Sequence, residues 1–312
     1  MCGATRSAHT CAINSRELIL TTQKTECLEI SRGDIDAIAD LLARGFAGRS
    51  REYWMQGLLR QGEREVPDGY PRYGYFLKHD GKAVGVLLVL FTATDFRDKT
   101  LVRCNVASWY VDPPFRGHAP RLARSALRFE DVTYINVTPA VSTWPLVERL
   151  GFSPYCKGLL FSLPALSQAA RDAEIKIVTA AENGHLDGLS EGEIKLLKHH
   201  ASYGCMSLVV RTPDAGSSPF ILTPYRVRHG TIPLPAMQLI FCRGVEDFVR
   251  CAGVIGRMLL RHAKPIVVLD ANGPVRGLAG YYTEARGRKY FRGPDLPALV
   301  DLAETELVLY GV

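Results

Sequence analysis

The stretch SWYVDPPFRGHAPRLARSAL, residues 108–127, carries an apolar strand through a Pro-Pro turn into a basic loop and then a helix. The first N–H groups of a helix have no intrahelical partner, so they face whatever the preceding loop encloses. With the positive end of the helix dipole there, and Arg116 and Arg121 alongside, the pattern suits a phosphate group. Pro120 fits the first helical turn, where a missing N–H costs nothing. A plain strand-to-helix connection would carry the same proline, so the surrounding order of elements decides between the two readings.

Working outward, a strand over 28–30 precedes a helix opened by Asp34, with Ile35, Ile38, Leu41 and Leu42 on one face. A second short helix covers 53–60. Strands over 73–78 and 82–91 flank Asp80-Gly81, a strong hairpin signal, and the second is apolar on both faces, as in a sheet interior. A strand over 102–111, a helix over 120–129, a strand over 132–137 and a short helix over 142–150 follow, and Gly151-Phe152 leads into another strand.

Val111-Asp112-Pro113-Pro114-Phe115-Arg116-Gly117-His118-Ala119 resembles the acyl-CoA-binding segment of the GNAT acetyltransferase superfamily, V-x-P-x-x-R-G-x-G-x-G before a helix. Ala119 and Arg121 stand at its two later glycines. The element order is also that of the superfamily, and Leu146 to Phe152 resembles its L-Y-x-K-x-G-F closure, with Val147 at the tyrosine. The resemblance implies an α/β fold with acetyl-CoA or another acyl-CoA as co-substrate and no metal. It places the cofactor on Val111, Arg116, Gly117, His118, Ala119, Pro120 and Arg121, with Trp144 beside the pantetheine path. The acceptor would be a small-molecule or peptide amine held between two domains. Ser108, Tyr110, Asn136 and His118 are candidates for base or positioning roles, and Ser142 or Tyr155 could replace the tyrosine acid that Val147 lacks.

The chain has 312 residues, more than one core usually serves, which points to two domains. Leu163-Pro164-Ala165-Leu166 returns 133 residues later as Leu296-Pro297-Ala298-Leu299, and each precedes a strand-like run, 175–178 and 307–310. Other elements align at nearly the same offset, as duplication requires. The expected organisation is a flexible leader over 1–26, an acyl-CoA-binding domain over 27–163 and a degenerate GNAT-like domain over 164–312, each domain a mixed central sheet flanked by helices. The second copy has Glu246 and Asp247 at its helix start, where they would repel a pyrophosphate.

Net charge is +6 and spread without a lysine run, which does not favour nucleic acid; a basic interaction or nucleic-acid-binding protein and a noncatalytic acyl-CoA-binding module are the rival readings. Eight cysteines without a C-x-x-C pair suggest neither zinc nor a disulfide framework, and point to the cytoplasm. The N-terminus lacks an apolar signal region, and the longest apolar run, 83–91, is too short for a bilayer. A homodimer is left open. Gly188 to Gly192 matches G-x-S-x-G, yet polar residues precede it, and Ser190 with Glu193 reads as a capping box. His199-His200 reads as a helix end rather than a metal pair.

Overall fold

The computed structural model describes residues 24–96, 99–170, 172–184, 186–229 and 232–311, so residues 1–23 of the expected leader lie outside the described residues. In chain order the elements are β1 (Glu26–Glu29), α1 (Ile35–Gly45), α2 (Arg51–Glu63), β2 (Gly74–His79), β3 (Lys82–Phe96), β4 (Lys99–Val111), α3 (Ala119–Ala126), β5 (Val132–Asn136), α4 (Trp144–Arg149), β6 (Ser153–Cys156) and β7 (Gly158–Ser162). There follow β8 (Glu174–Val178), α5 (Glu191–Ser202), β9 (Met206–Thr212), β10 (Gly216–His229), β11 (Ile232–Phe241), α6 (Val245–Arg261), β12 (Ile266–Ala271), β13 (Gly280–Thr283), β14 (Lys289–Arg292) and α7 (Glu306–Leu309).

Two seven-stranded mixed sheets result, ordered β1-β2-β3-β4-β5-β14-β6 and β8-β9-β10-β11-β12-β7-β13. The orders are equivalent. In each, antiparallel strands reach a single parallel step, β4 on β5 and β11 on β12. The strand that follows the sixth strand of each half then crosses over: β7 pairs with β12 and β13, while β14 pairs with β5 and β6. Sheet membership therefore does not change at one point near residue 163, because the halves exchange their last strands.

The crossing is tight. A Cβ at Gly158 would lie 2.1 Å from the Thr283 carbonyl oxygen, so only glycine allows that backbone approach. Lys289 on β14 of the first sheet reaches Asp270 on β12 of the second, with Nζ 2.7 Å from Oδ1 and both side chains almost wholly buried. Burial opposes the ammonium charge, but Asp270 raises the Lys289 pKa overall, so the lysine stays cationic.

Local patterning accounts for most elements. Ile35, Ile38, Leu41 and Leu42 are buried on α1, and the Ser190–Glu193 capping box opens α5. Helix α3 stops at Ala126, short of the expected 129, with Leu127 as its C-cap. A strand expected over 307–310 is instead the helical turn α7, whose four residues are all buried. Four consecutive apolar residues have no period of their own, so tertiary packing chooses their conformation.

Two outcomes follow from the exchange. Lys289→Ala should cost about 3–5 kcal/mol in urea unfolding by stranding the Asp270 charge, and Lys289→Met with Asp270→Leu should recover most of it; a single substitution within 0.5 kcal/mol of the parent would refute a stabilising role. A fragment ending at Ala173 lacks β14 and leaves β7 without partners, so it should show no cooperative unfolding and no fixed near-UV circular dichroism.

Candidate functional site

The parallel pairing of β4 with β5 runs from Val102↔Val132 to Asn105↔Ile135 and stops. Beyond it β4 continues to Val111 with its other edge on β3, and among the described residues no strand covers the freed edge. The sheet is forked here. Along the fork Ser108 and Trp109 stand opposite the single residue Leu87, since Val86 pairs with Tyr110 and Leu88 with Ala107. This is a β-bulge, with Ser108 at φ +46° in the left-handed region that serine seldom adopts. Such a bulge leaves a residue out of the ladder and bends the strand.

The loop at the end of β4 forms a 3-10 turn, Pro113–His118, that runs directly into α3. Two of its amides are already used: Phe115 N donates to the Asp112 carbonyl and Ala119 N to that of Arg116. Arg116 is exposed, and open space surrounds the Gly117 α-carbon. Arg121 turns away, its Nη1 donating to the Thr25 carbonyl before β1. His118 is half-buried as the residue before α3. Asp112 accepts from Arg44 at 3.3 Å, which braces the loop against α1.

The remaining expected residues divide. Ser108, Tyr110 and Asn136 are partly exposed on β4 and β5 beside the fork, while Val111 is buried at the end of β4. Ser142 is exposed before α4. Trp144 opens α4, donating from Nε1 to the Pro139 carbonyl, with the Arg288 guanidinium 4.2 Å from its ring centroid. Arg288 lies just before the exchanged strand β14, so the second half of the sequence contributes to this wall. Val147 faces the first-half core with Phe152 and Tyr290 and not the fork. Tyr155 is also set apart: its hydroxyl is buried without a hydrogen-bond partner among the described residues, and burial pushes its pKa well above the ordinary value.

Sequence reasoning did not single out Asn105. Asn105, 2% exposed, sits at the apex of the fork, donating from Nδ2 to the Ile135 carbonyl at 3.3 Å and accepting at Oδ1 from Glu306 N at 2.8 Å. Its polarity inside the run 102–111 was the one available signal.

The corresponding fork of the second sheet is filled. Pairing of β11 with β12 stops at Gln238↔Val268, and the segment 300–302 then lies on β11, with Leu302 N donating to Ile240 O at 2.8 Å and Cys242 N to Val300 O at 3.2 Å. Arg243, ahead of α6, is held by Glu193 through contacts of 2.6 and 2.8 Å. Glu246 and Asp247 occupy the first turn of α6. Both the space and the charge are wrong for a pyrophosphate there.

His199, His200 and Glu304 place three candidate ligand atoms within 4.8 Å of one another. Every ring nitrogen is engaged, however. His200 Nδ1 meets the Leu196 carbonyl and Nε2 accepts from Glu304 N; His199 meets Glu304 Oε1 at 2.9 Å and the Tyr203 hydroxyl at 2.7 Å. The cluster is an inter-half clasp, completed by Arg64 at 3.0 Å from Glu304 Oε2.

No protein-family model matches the sequence, and no curated protein matches it. Solved structures do resemble the fold. A GCN5-related N-acetyltransferase of Anabaena variabilis aligns at a TM-score of 0.54 with 12% identity, covering 90% of this chain and 74% of its own. A probable N-acyltransferase of Enterococcus faecalis aligns at 0.53 with 11% identity, covering 89% and 73%. Eis1 of Mycobacterium abscessus aligns at 0.51 with 12% identity, covering 86% and 73%. The fold is thus that of the GCN5-related N-acetyltransferases, with two GNAT-like domains.

The clasp should be visible in acid. Burial pushes the Glu304 carboxyl up, but the His199 hydrogen bond and the Arg64 charge outweigh it and hold the pKa at about 2. A lowered folded-state pKa gives stability that is present above the unfolded value, near 4.5, and lost as pH falls toward 2. That contribution is on the order of 3 kcal/mol. Glu304→Gln should therefore lose about that much at pH 7 and show a flatter stability profile between pH 4.5 and 2; an unchanged acid limb would refute the clasp.

Proposed function

We propose that the chain transfers an acyl group, with acetyl as the reference case, from acyl-CoA to a primary amine at the fork of the first sheet. The observation that carries the reading is the open fork beside the Arg116 loop, with a bulge at Ser108, in a fold that N-acetyltransferases share. Its counterpart in the second half is closed by the chain itself, so the reading assigns one active site per chain.

In this reading Arg116 and the exposed rim of the loop at Gly117 take the pyrophosphate, and the pantetheine arm runs along the freed edge of β4. Hydrogen bonds from that edge would replace those that β5 no longer supplies. Trp144, backed by Arg288, closes the far wall. The bulge at Ser108 directs a backbone N–H to the thioester oxygen, where negative charge develops during attack. Much of the rate comes from position, since a neutral amine fixed against the carbonyl reacts as an intramolecular neighbour. Tyr110 and Asn136 border the amine side. Ser142, exposed beside α4, or water is left to protonate the departing thiolate, because the Tyr155 hydroxyl is enclosed elsewhere.

A noncatalytic acyl-CoA-binding module is the second reading, favoured by Val147, which stands in the core where the resemblance calls for an acid tyrosine. It predicts the same stabilisation by CoA without transfer to any amine.

Acetyl-CoA at a hundredfold excess over its dissociation constant should raise unfolding stability by about 2.7 kcal/mol. Arg116→Glu should remove most of that gain, and isothermal titration should return one site per chain. An unmoved melting curve in millimolar CoA would overturn the assignment, and two equivalent sites would overturn the division between the halves.

A further inference from the structure

We infer that the end of the second sheet where β11 and β12 begin docks on a membrane surface rich in anionic glycerophospholipid. The inference goes beyond the acyl-transfer reading and does not depend on it.

The two halves supply the comparison. Their hairpins match residue for residue at the offset of 133, with Ala93↔Val102 answering to Arg226↔Pro235 and the parallel pair Asn105↔Ile135 to Gln238↔Val268. Along and just after α3 come Arg124, Leu127 and Arg128, and their counterparts on α6 are Arg257, Leu260 and Arg261. The charges around this shared triplet differ. Glu130 and Asp131 of the first half are Ala263 and Lys264 in the second, Ala93 is Arg226, and Asp95 is Arg228. No aspartate or glutamate occurs in 158–171, which holds β7, in 215–245, which holds the β10–β11 hairpin, or from Phe248 of α6 to Leu269 of β12.

The fold gathers these stretches into one surface. Arg226 and Leu234 of the hairpin share a shallow pocket with Lys264, which lies between α6 and β12. Leu260 and Arg261 close α6 just before it. One helical turn before Leu260, a Cβ at Gly256 would lie 2.1 Å from Ala165 N, so the turn Pro164–Leu166 rests on the flank that Leu260 continues. Leu163, Leu166, Leu234 and Leu260 are all exposed there, Leu166 at 70% and Leu260 at 49%. Arg250, further up the helix, is taken by Asp247. Arg226, Arg257 and Arg261 are exposed and Lys264 half-buried, and none of the four pairs with a carboxylate among the described residues.

Single exposed leucines are ordinary on a protein surface. Here four lie among unpaired bases, and one partner suits both kinds of group: headgroup phosphates meet the bases, and the acyl boundary takes the leucines. The helix dipole explains Arg261 at the end of α6, but not Arg226 on the hairpin or Leu166 on the turn. A nucleic acid would use the bases and leave the leucines in water. A second copy of this face would set base against base. Contact is at the bilayer surface, since no described helix is long and apolar enough to cross a membrane.

The test is flotation of the full chain with vesicles of phosphatidylcholine alone and with about one third phosphatidylglycerol. The parent should float with the anionic vesicles and stay behind with the neutral ones. Raising salt from about 0.1 to about 0.5 M should weaken that binding without abolishing it. Arg257→Glu with Arg261→Glu should lower the partition coefficient by about 10²-fold or more, at about fivefold per unit of charge near the surface. Arg124→Glu with Arg128→Glu makes the same change in net charge at the counterpart positions, and should leave binding unchanged. Leu166→Ser with Leu260→Ser keeps the net charge and should cost about tenfold; melting curves check that each variant is folded. A parent that ignores anionic vesicles, or binds them regardless of salt, would overturn the inference, as would an equal loss in the two arginine variants. Parent-like binding by the leucine variant, with tighter binding to duplex DNA or RNA, would reassign the face to nucleic acid. A dimer that the leucine variant dissolves, without lipid binding, would reassign it to a second copy.

Discussion

The exchange of last strands between the two sheets is the constraint on which the molecule depends. β14 is the neighbour of β5 in the first sheet and β7 the neighbour of β12 in the second, so neither sheet is complete without residues from the other half of the sequence. At the crossing, the Lys289–Asp270 pair is almost wholly buried, and the close approach of Gly158 to Thr283 leaves no room for a side chain. A buried ion pair contributes little net stability, yet losing either partner is costly, so it acts as a check on correct pairing. Arg288 beside Trp144 is a direct consequence, since it arrives with the exchanged strand.

Duplication has been resolved into opposite fates by one stretch of chain. From Val300 to Leu302 it fills the second fork as an added strand on β11; from Glu306 onward it caps the first fork only at its apex. Between them, Arg103 holds Asp301 and Ala303, and Glu304 meets Arg64 and His199. The segment is fastened on both sides, which fixes Glu306 where β4 leaves β5. Tyr310 continues the anchorage, with its hydroxyl 2.6 Å from Gln61 Oε1 beneath α2. One segment thus fills the second fork and buttresses the apex of the first.

The charge pattern agrees with this division. At the first loop Arg116 is exposed and the nearby carboxylate, Asp112, is turned to Arg44. At the second, Arg243 is consumed by Glu193, and Glu246 with Asp247 occupies the helix start. An anion would meet the exposed Arg116 at one helix and two carboxylates at the other.

Much of this was legible in the residues. The strand–loop–helix over 108–127, the α1 stripe, the Asp80-Gly81 hairpin, the capping box at Ser190 and the acidic start of α6 are local patterns, written in spacing and turn chemistry over a few residues. The repeat of Leu163 to Leu166 at Leu296 to Leu299 likewise announced a second copy. What the residues alone could not decide were matters of distance. The runs that became β7 and β14 are equally suited to either sheet, and only three-dimensional closure sends each to the other half. The run 307–310 has no period, so the cores it enters made it helical. Tyr155, a candidate acid in the sequence, is enclosed, and Glu306 is buried where its backbone meets Asn105. Burial and the partners of a polar group depend on segments far away in sequence, and those are set only when the tertiary structure forms.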